Sequence, residues 1–450
     1  MHSSEDVALR VGINEKLPGG LTALYGFQHL LALTGIWIFP ILIGQALGLE
    51  NTAVSYIIQA CFLTTGIVTV LQSGKLLKLP VVQGPTAAFF VAVLAAGQSY
   101  GLGTAFGSMM VAGAIFMVLA LPIRRFGLMG LLIRFISPPM VYATLLVIIG
   151  AQLAGIGLKG WFGIPGLPGY GAVNFGVGCA TAAIVIACMV LGGNGVVRRG
   201  ALLWGIVGGT LLALFSGAWS APDLGAASWV NIPKFLPFGF GVSAPLVVLM
   251  LLAFLQAGAE AMGMYTLLTQ WGKQELTPER VNRGLFSEFL GSVVGAAFGG
   301  LGTTSYPENI GIIRITRIGS RFVTLAAGVF AIVLSLFPKL ALFIAGLPGP
   351  VLGAASTLLF GIIAVSGIQI LNRVEWDELN LAVAAPSFII SLGTMFLPAD
   401  IVALLPSSVA SIVTQPMMVG VIMLVILNTL INMVIRPRLA GAVAEKGAVA

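Results

Sequence analysis

The sequence is a succession of long apolar runs separated by short polar segments. Runs of roughly 17 to 25 apolar residues are long enough to cross the hydrocarbon of a bilayer as helices. A membrane β-barrel would instead show short segments of alternating polarity. The pattern therefore predicts an all-α polytopic membrane protein. We expect fourteen spans, at about residues 21–46, 52–74, 79–98, 104–121, 133–156, 172–193, 198–217, 243–270, 281–300, 303–319, 320–345, 349–371, 379–397 and 413–435.

The distribution of charge supports this count of spans. Only 8% of residues are charged and 58% are hydrophobic, which excludes an ordinary soluble domain. If the N-terminus is cytoplasmic, every one of the 22 basic residues lies on the cytoplasmic side except Lys159, Lys234 and Lys339. This bias follows the positive-inside rule, so the net charge of +7 requires no nucleic-acid partner. We expect a multi-pass protein of the cytoplasmic membrane with both termini in the cytoplasm.

Fourteen spans divide into two halves of seven, and an odd number of spans per half makes the halves run in opposite directions. The third and tenth spans are also alike, because each is interrupted. LPVVQGPTAAFF (79–90) and LGTTSYPENIG (301–311) both indicate a short extended segment followed by a half-helix. The sequence therefore predicts a 7+7 inverted repeat. The N-termini of its two half-helices should meet near the midplane, with free backbone amides and positive dipole ends.

Three carboxylates lie well inside the predicted spans: Glu260, Glu288 and Glu308. An ionised carboxylate in hydrocarbon costs several kcal/mol unless it is paired or solvated. Glu260 should therefore face the protein interior, either as a substrate-binding and protonatable group or as a structural carboxylate held by hydroxyls and amides. Glu288 is nearer the cytoplasmic interface, and we interpret it as structural or gating.

Glu308 follows the break in span ten and also has two interpretations. With Ser305 as N-cap, Glu308 would close a capping box and be partly occupied by the backbone. Pro307 favours the first helical position, which would make Tyr306 the cap. Otherwise the Glu308 side chain faces the cavity, beside the donor and acceptor of Asn309.

Three further side chains are candidates for the same site. His29 in span one lies roughly 12 Å from the cytoplasmic end of its helix, at ~1.5 Å per residue, and would supply a supporting hydrogen bond or transfer a proton. Gln83 precedes the break in span three and can reach the same cavity. Phe89 or Phe90 would offer an aromatic face, or would simply face the lipid or fill the core.

These groups suit a neutral solute that carries both N–H donors and carbonyl acceptors. Carboxylates would accept from the N–H groups, while Asn309 and the half-helix amides would donate to the carbonyls. Two carboxylates confined to one buried site favour binding of a proton, as a proton-coupled carrier needs. The sequence has no metal-ligand cluster, no nucleophile–base set and no phosphate loop. We expect no enzyme activity, and no cofactor other than a coupling proton.

The motif around Glu308 resembles that of the nucleobase–ascorbate transporter family, also called nucleobase:cation symporter-2. The family pattern is Gln or Glu, Asn, one residue, Gly, four residues, Thr. It is filled by Glu308, Asn309, Gly311 and Thr316. The resemblance covers nearly the whole chain. Further matches are Thr303-Thr304, Gln28-His29, Gln83-Gly84 and Glu260-x-x-Gly263.

This resemblance implies a core domain of spans one to four and eight to eleven, and a gate domain of the remaining spans. It also implies a homodimer formed through the gate domain and an elevator-like motion. The expected divisions are an N-terminal cytoplasmic tail (1–20), core parts 21–125 and 241–346, gate parts 126–240 and 347–436, and a C-terminal cytoplasmic tail (437–450). The implied substrate-binding residues are Glu260, Glu308, Asn309, Gln83, Phe89 and His29, with Glu260, Glu308 and His29 coupling the proton.

Two positions point to different substrate branches of that family. The glutamate at position 308 resembles the residue that uracil-type members have there, whereas the Gln83-Gly84 pair resembles that of the purine branch. Departures from the family pattern are Met264, four residues after Glu260, and Pro85 in span three. The predicted function is proton-coupled uptake of uracil or of an oxidised purine such as xanthine or urate. The alternatives are an inorganic anion transporter of the same fold and a non-transporting membrane receptor.

Overall fold

The computed structural model describes residues 8–439, except 32, 34, 122–127, 129–137, 167, 194–195 and 226. Nearly all of its regular structure is helical. The helix Asn51–Leu71 continues into a π-helical turn (Gln72–Leu76), and the helix Pro416–Asn428 continues into another (Thr429–Ile435). The helices are α1 (Gly19–Leu31), α2 (Gly35–Leu47), α3 (Asn51–Leu71), α4 (Ala87–Tyr100), α5 (Leu102–Leu119), α6 (Pro139–Gly160), α7 (Ala172–Leu191), α8 (Val196–Arg199), α9 (Ala201–Phe215), α10 (Ala244–Trp271), α11 (Pro278–Ala297), α12 (Pro307–Thr316), α13 (Arg321–Ser335), α14 (Pro338–Ala345), α15 (Gly349–Leu371), α16 (Glu378–Gly393), α17 (Ala399–Ala403), α18 (Ser407–Val413) and α19 (Pro416–Asn428).

The chain is a multi-pass helical membrane protein. Among the described residues, nine helical stretches are long and apolar enough to cross a membrane, and the bent pair α13–α14, with an angle of 86°, would add a tenth. This number is smaller than fourteen partly because an interrupted span contains no single helix long enough to cross a membrane. The half-helices α4 and α12 have only 14 and 10 residues. The fourteen-span count stays a prediction, and the start of predicted span five, 133–137, lies outside the described residues.

Two short strands interrupt the helical structure where the sequence predicted breaks. β1 (Gln83–Pro85) and β2 (Thr303–Ser305) are buried and pair antiparallel, and each leads into a half-helix. Pro85 disfavours a helical conformation at Gly84 and lacks a backbone donor. Adjacent β-branched threonines favour extended backbone in β2. The prediction of two strand-plus-half-helix segments is confirmed.

The described chain divides into two compact units. The first contains Met1–Gly130 and Ile156–Leu358, and so holds both strands and both half-helices. Within it α3 and α13 approach closely at glycines, since a Cβ on Gly66 would lie 2.6 Å from the Gly328 carbonyl oxygen. Small residues permit such close packing of membrane helices.

The second unit contains Leu131–Gly155 and Leu359–Ala450. Its helices also pack at glycines, because a Cβ on Gly367 would lie 2.6 Å from the Ala143 carbonyl oxygen. The predicted boundaries of core and gate domains stay a prediction.

Candidate functional site

The candidate site is built around the crossing of β1 and β2. Gly84 pairs with Thr304 at the centre of the two strands. The ladder extends at both ends, where the Thr86 amide donates to the Gly302 carbonyl at 3.2 Å and the Tyr306 amide donates to the Val82 carbonyl at 2.9 Å. Because the strands are antiparallel, the helices that follow them leave the crossing in opposite directions. The N-termini of two half-helices are thereby brought to one buried place.

The two helix N-termini are capped differently. The Thr86 hydroxyl caps α4 by accepting from the Ala88 amide at 3.2 Å. Tyr306 is the N-cap of α12 with Pro307 at its first position, and no described side chain caps it. This decides between the two caps that the sequence allowed, and Ser305 lies in β2. Pro307 has no N–H and the Asn309 amide donates to the Tyr306 carbonyl at 3.2 Å, so the Glu308 amide is the donor that the first turn of α12 can offer to a polar ligand.

Glu260 contacts the N-terminus of α4. Its side chain is buried in α10, and its Oε2 accepts from the Thr86 hydroxyl at 3.2 Å. Gln256, one turn earlier, donates to the other carboxylate oxygen at 3.4 Å. The Thr304 hydroxyl donates to the Ala257 carbonyl at 2.9 Å, which joins β2 to the same helix. Glu260 therefore lies beside the crossing, as the sequence predicted for an inward-facing carboxylate.

His29 and Asn309 form a buried pair. The His29 Nδ1 and Asn309 Oδ1 atoms are 2.7 Å apart, and both side chains are at least 98% buried, at 2% and 1% exposure. Asn309 Oδ1 is an acceptor, so His29 donates when the proton is on Nδ1. The Asn309 amide nitrogen has no hydrogen-bond partner among the described residues. One end of the Asn309 side chain is thus fixed, and the other remains available to a ligand.

Glu308 is the second residue of α12, in the same turn as Asn309. Its side chain lies outside the described part of the structure. The substrate-binding and proton-coupling roles of Glu308 stay predictions.

Gln83 enters a buried network that the sequence did not predict. Its Nε2 lies 2.7 Å from Gln72 Oε1, 3.0 Å from Ser305 Oγ and 3.3 Å from Glu288 Oε2. The Tyr265 hydroxyl donates to the same Glu288 oxygen at 3.1 Å. Glu288 is fully buried, and Gln83 connects it both to β1 and, through Ser305, to β2. The spacing of these residues in the sequence carried no signal of the network, because they come from five separate elements.

Phe89 lies in an aromatic cluster. Its ring meets Phe254 edge-on, with centroids 4.6 Å apart, and it is fully buried. The ring also packs on Gly302, where a Cβ would clash with it. Phe90 stacks on Phe39 at 5.0 Å. The substrate-binding role of Phe89 stays a prediction, and these contacts make its ring part of the packing behind the crossing.

Tyr306 is a site residue that sequence reasoning considered only as a cap. Its ring lies against β1, since a Cβ on Gly84 would fall 2.5 Å from Tyr306 Cδ2. Its hydroxyl lies at Gly35, the first residue of α2, and would clash with a Cβ there. The predicted first span, 21–46, corresponds to α1 and α2 together, which form one stretch, Gly19–Leu47, that is long and apolar enough to cross a membrane. Tyr306 thus packs between β1 and the start of α2.

Among the residues that the structure describes, no three His, Cys, Asp or Glu side chains are grouped as a metal site requires. The site consists instead of interrupted helices, two buried helix N-termini and a buried carboxylate. These features are typical of a membrane transport protein.

Comparison with known proteins identifies the family. The Xan_ur_permease model, described as Permease family, matches residues 20–400. The uric acid transporter UacT of Escherichia coli (strain K12) is 31% identical over 430 residues, covering 92% of this chain and 86% of its own. The uracil permease of Bacillus caldolyticus is 31% identical over 377 residues, covering 81% and 84%. The xanthine permease of Bacillus subtilis (strain 168) is 28% identical over 423 residues, covering 92% and 94%. The chain therefore belongs to this permease family and is a transport protein, not an enzyme.

Solved structures agree on the fold. The transmembrane domain of the cyanobacterial bicarbonate transporter BicA covers 93% of this chain and 99% of its own length, with a TM-score of 0.55 and 16% identity. At this identity the likeness shows the fold alone. The resemblance to nucleobase transporters stated from the motif residues is confirmed by the family match.

Proposed function

We propose that this chain is a proton-coupled nucleobase permease that takes up uracil or an oxidised purine such as xanthine or urate. The observation that carries the proposal is the position of Glu260, whose buried carboxylate contacts the N-cap of α4 beside the β1–β2 crossing. Family membership supports the substrate class, because the relatives are named for uric acid, uracil and xanthine.

The polar groups of the site match the edge of a nucleobase. The Glu260 carboxylate accepts hydrogen bonds from ring N–H groups. The free side-chain nitrogen of Asn309 and the backbone amide of Glu308 in the first turn of α12 donate to ring carbonyls. A neutral heterocycle that carries both groups on one edge would satisfy all of them at once. Glu308, beside Asn309, is the second carboxylate of this proposal.

Proton coupling follows from the cost of a buried charge. A carboxylate that loses contact with water is more stable when it binds a proton or a cationic partner. In the proposal Glu260 and Glu308 bind the proton together with the base, and His29 orients Asn309 through the bond between their side chains. Proton and base then cross the membrane in one step, and no metal or organic cofactor takes part.

The proposal includes the larger architecture that the sequence predicted. Fourteen spans in a 7+7 inverted repeat would form a core domain that carries the site and a gate domain that forms a homodimer. The core would move relative to the gate like an elevator, in the cytoplasmic membrane and with both termini in the cytoplasm. The antiparallel strands, each leading into a half-helix, support an inverted repeat, because they relate two similar segments that run in opposite directions.

The two alternatives have less support. The anion transporters share the fold, but a buried carboxylate at the crossing would repel a small inorganic anion. A receptor without transport would need neither interrupted spans nor a carboxylate inside the membrane, where charge is costly.

The test is uptake by the purified protein in proteoliposomes. We expect saturable accumulation of labelled uracil, xanthine or urate, driven by an inward proton gradient and competed by unlabelled nucleobases but not by bicarbonate or sulfate. Accumulation that ignores the proton gradient would remove proton coupling from the proposal. Uptake of bicarbonate or sulfate without uptake of any nucleobase would replace it with the anion-transporter alternative.

A further inference from the structure

The N-terminal segment is not a free tail where the structure describes it. Residues 9–15, which we call the strap, run parallel to the loop that joins α12 to α13. The Gly319 amide donates to the Val11 carbonyl at 2.9 Å, and the Arg321 amide donates to the Ile13 carbonyl at 3.0 Å. The strap therefore adds a strand-like layer to the chain directly after the half-helix that carries Asn309.

The strap also contacts the end of α10, the helix that carries Glu260. Ile13 is buried, with 3% of its surface exposed, and it packs on Gly272 at the C-cap of α10. A Cβ on Gly272 would clash with the Ile13 side chain. Ile13 is the apolar anchor of the strap.

Arg321 joins the strap to the segment that leads into β1. Its Nε donates to Asn14 Oδ1 at 2.8 Å, and its Nη1 donates to the Ser73 and Gly74 carbonyls at 2.9 Å. These carbonyls belong to the π-helical turn that precedes β1. Arg321 is the first residue of α13, where a cation gains nothing from the helix dipole. Its specific contacts, and not the dipole, therefore explain its position.

Together these contacts connect the loop after α12, the C-terminal end of α10 and the π-helical turn that precedes β1. α12 is only 10 residues long, and its C-cap residue, Arg317, has a left-handed conformation with φ 59°. A helix this short is marginal without support at its ends. β2 holds its N-terminus, and the strap holds the loop after its C-terminus. A strap that detaches would let α12 slide or rotate, and the Asn309 side chain would then turn away from His29.

We propose that the strap is a positioning element of the nucleobase site, which holds α12 and α10 in the arrangement that binds substrate. This inference rests on the proposed function. It assigns a role in substrate affinity to Ile13, Asn14 and Arg321, none of which contacts the crossing. A positioning role predicts a change in KM with little change in the maximal rate of uptake.

The experiment compares variants of the full chain in proteoliposomes. Ile13→Ala/Asn14→Ala removes the anchor and the acceptor of Arg321, and we expect KM for the transported nucleobase to rise about fivefold or more with a maximal rate within about twofold. Asn14→Asp keeps the acceptor and should behave as the wild type does. Arg10→Ala is the control, because Arg10 is exposed and the substitution keeps its backbone amide, which donates to the Arg317 carbonyl at 2.8 Å.

A disulfide supplies the rescue. Val11 and Ile318 are partners in the parallel bridge, so Val11→Cys and Ile318→Cys place two thiols on neighbouring backbones. In the Ile13→Ala/Asn14→Ala chain, oxidation of this pair should return KM to within about twofold of the wild-type value, and a reductant should reverse the effect.

The outcomes separate the two proposals. If the wild type takes up no nucleobase, the proposed function fails and the strap proposal falls with it. If the wild type shows saturable uptake and the double variant keeps the wild-type KM, the strap proposal alone is overturned. If the double variant does not yield folded protein by size-exclusion chromatography, Asn14→Ala decides the question, because its side chain is exposed and an unchanged KM there also overturns the proposal.

Discussion

The pair formed by His29 and Asn309 gives a quantitative prediction about substrate affinity. In His29→Ala the Asn309 oxygen loses its buried partner at 2.7 Å. An unsatisfied buried acceptor costs about 1–3 kcal/mol, so the Asn309 amide should turn to recover a partner in the free protein. Substrate must then turn it back. We expect the dissociation constant for the transported nucleobase to rise roughly 5- to 150-fold, since 1.4 kcal/mol corresponds to tenfold.

The assay is equilibrium binding of labelled nucleobase to purified protein for the wild type, His29→Ala, Asn309→Ala and the double variant. Because both side chains act through one hydrogen bond, the double variant should cost less than the sum of the single variants. Leu24→Ala, on the same helix and 62% exposed, serves as the control and should bind as the wild type does. If the losses of binding free energy in the two single variants add up to the loss in the double variant to within about 0.5 kcal/mol, the two side chains act independently. That result would contradict the prediction.

Two further predictions concern packing and charge. Gly84→Ala places a methyl group 2.5 Å from the Tyr306 ring, and it should destabilise the protein by about 1–3 kcal/mol and abolish uptake. The control is Gly176→Ala, where the added methyl group meets open space and should change neither stability nor uptake. Thermal unfolding in detergent measures the stability of both variants, and the proteoliposome assay measures their uptake. Hydrogen bonding by the Arg436 guanidinium holds the pKa of Asp377 below its ordinary value of 3.8. The ionised Asp377 therefore stabilises the folded protein fully above pH 3.8, and this stabilisation is lost as pH falls through the lower pKa of the folded state. The difference in melting temperature between wild type and Asp377→Asn should therefore be present at pH 5 to 7 and disappear in stronger acid, and a pH-independent difference would contradict it.

The interrupted spans could be predicted from the sequence because the causes are local. A glycine before a proline in one segment and two threonines before a proline in the other disfavour helix over a few residues. The same local chemistry left two caps open for α12, and the structure has Tyr306, since Pro307 occupies the first helical position. The buried location of Glu260 was also predictable, because a carboxylate in hydrocarbon must face inward.

What could not be predicted depends on contacts between distant parts of the chain. Gln83 meets Glu288, 205 positions away, only because β1 pairs with β2, and β2 packs against α11. In the strap Leu9, Val11 and Ile13 alternate with polar or small residues, which fits an extended segment, but this short pattern does not indicate that Ile13 would be buried against α10. The contact between Tyr306 and Gly35 at the start of α2 joins residues about 270 positions apart and appears only in three dimensions.

In the proposed function, the carboxylate of Glu260 beside the crossing of β1 and β2 binds a nucleobase and carries its proton. The most direct measurement is uptake of labelled uracil, xanthine and urate into proteoliposomes by the wild type and by Glu260→Gln, with both proteins matched for folded amount. Glu260→Gln keeps the size of the side chain but removes its charge and its proton. We expect saturable, proton-driven uptake of at least one base by the wild type and none by the variant. Equal uptake by the two proteins would contradict it.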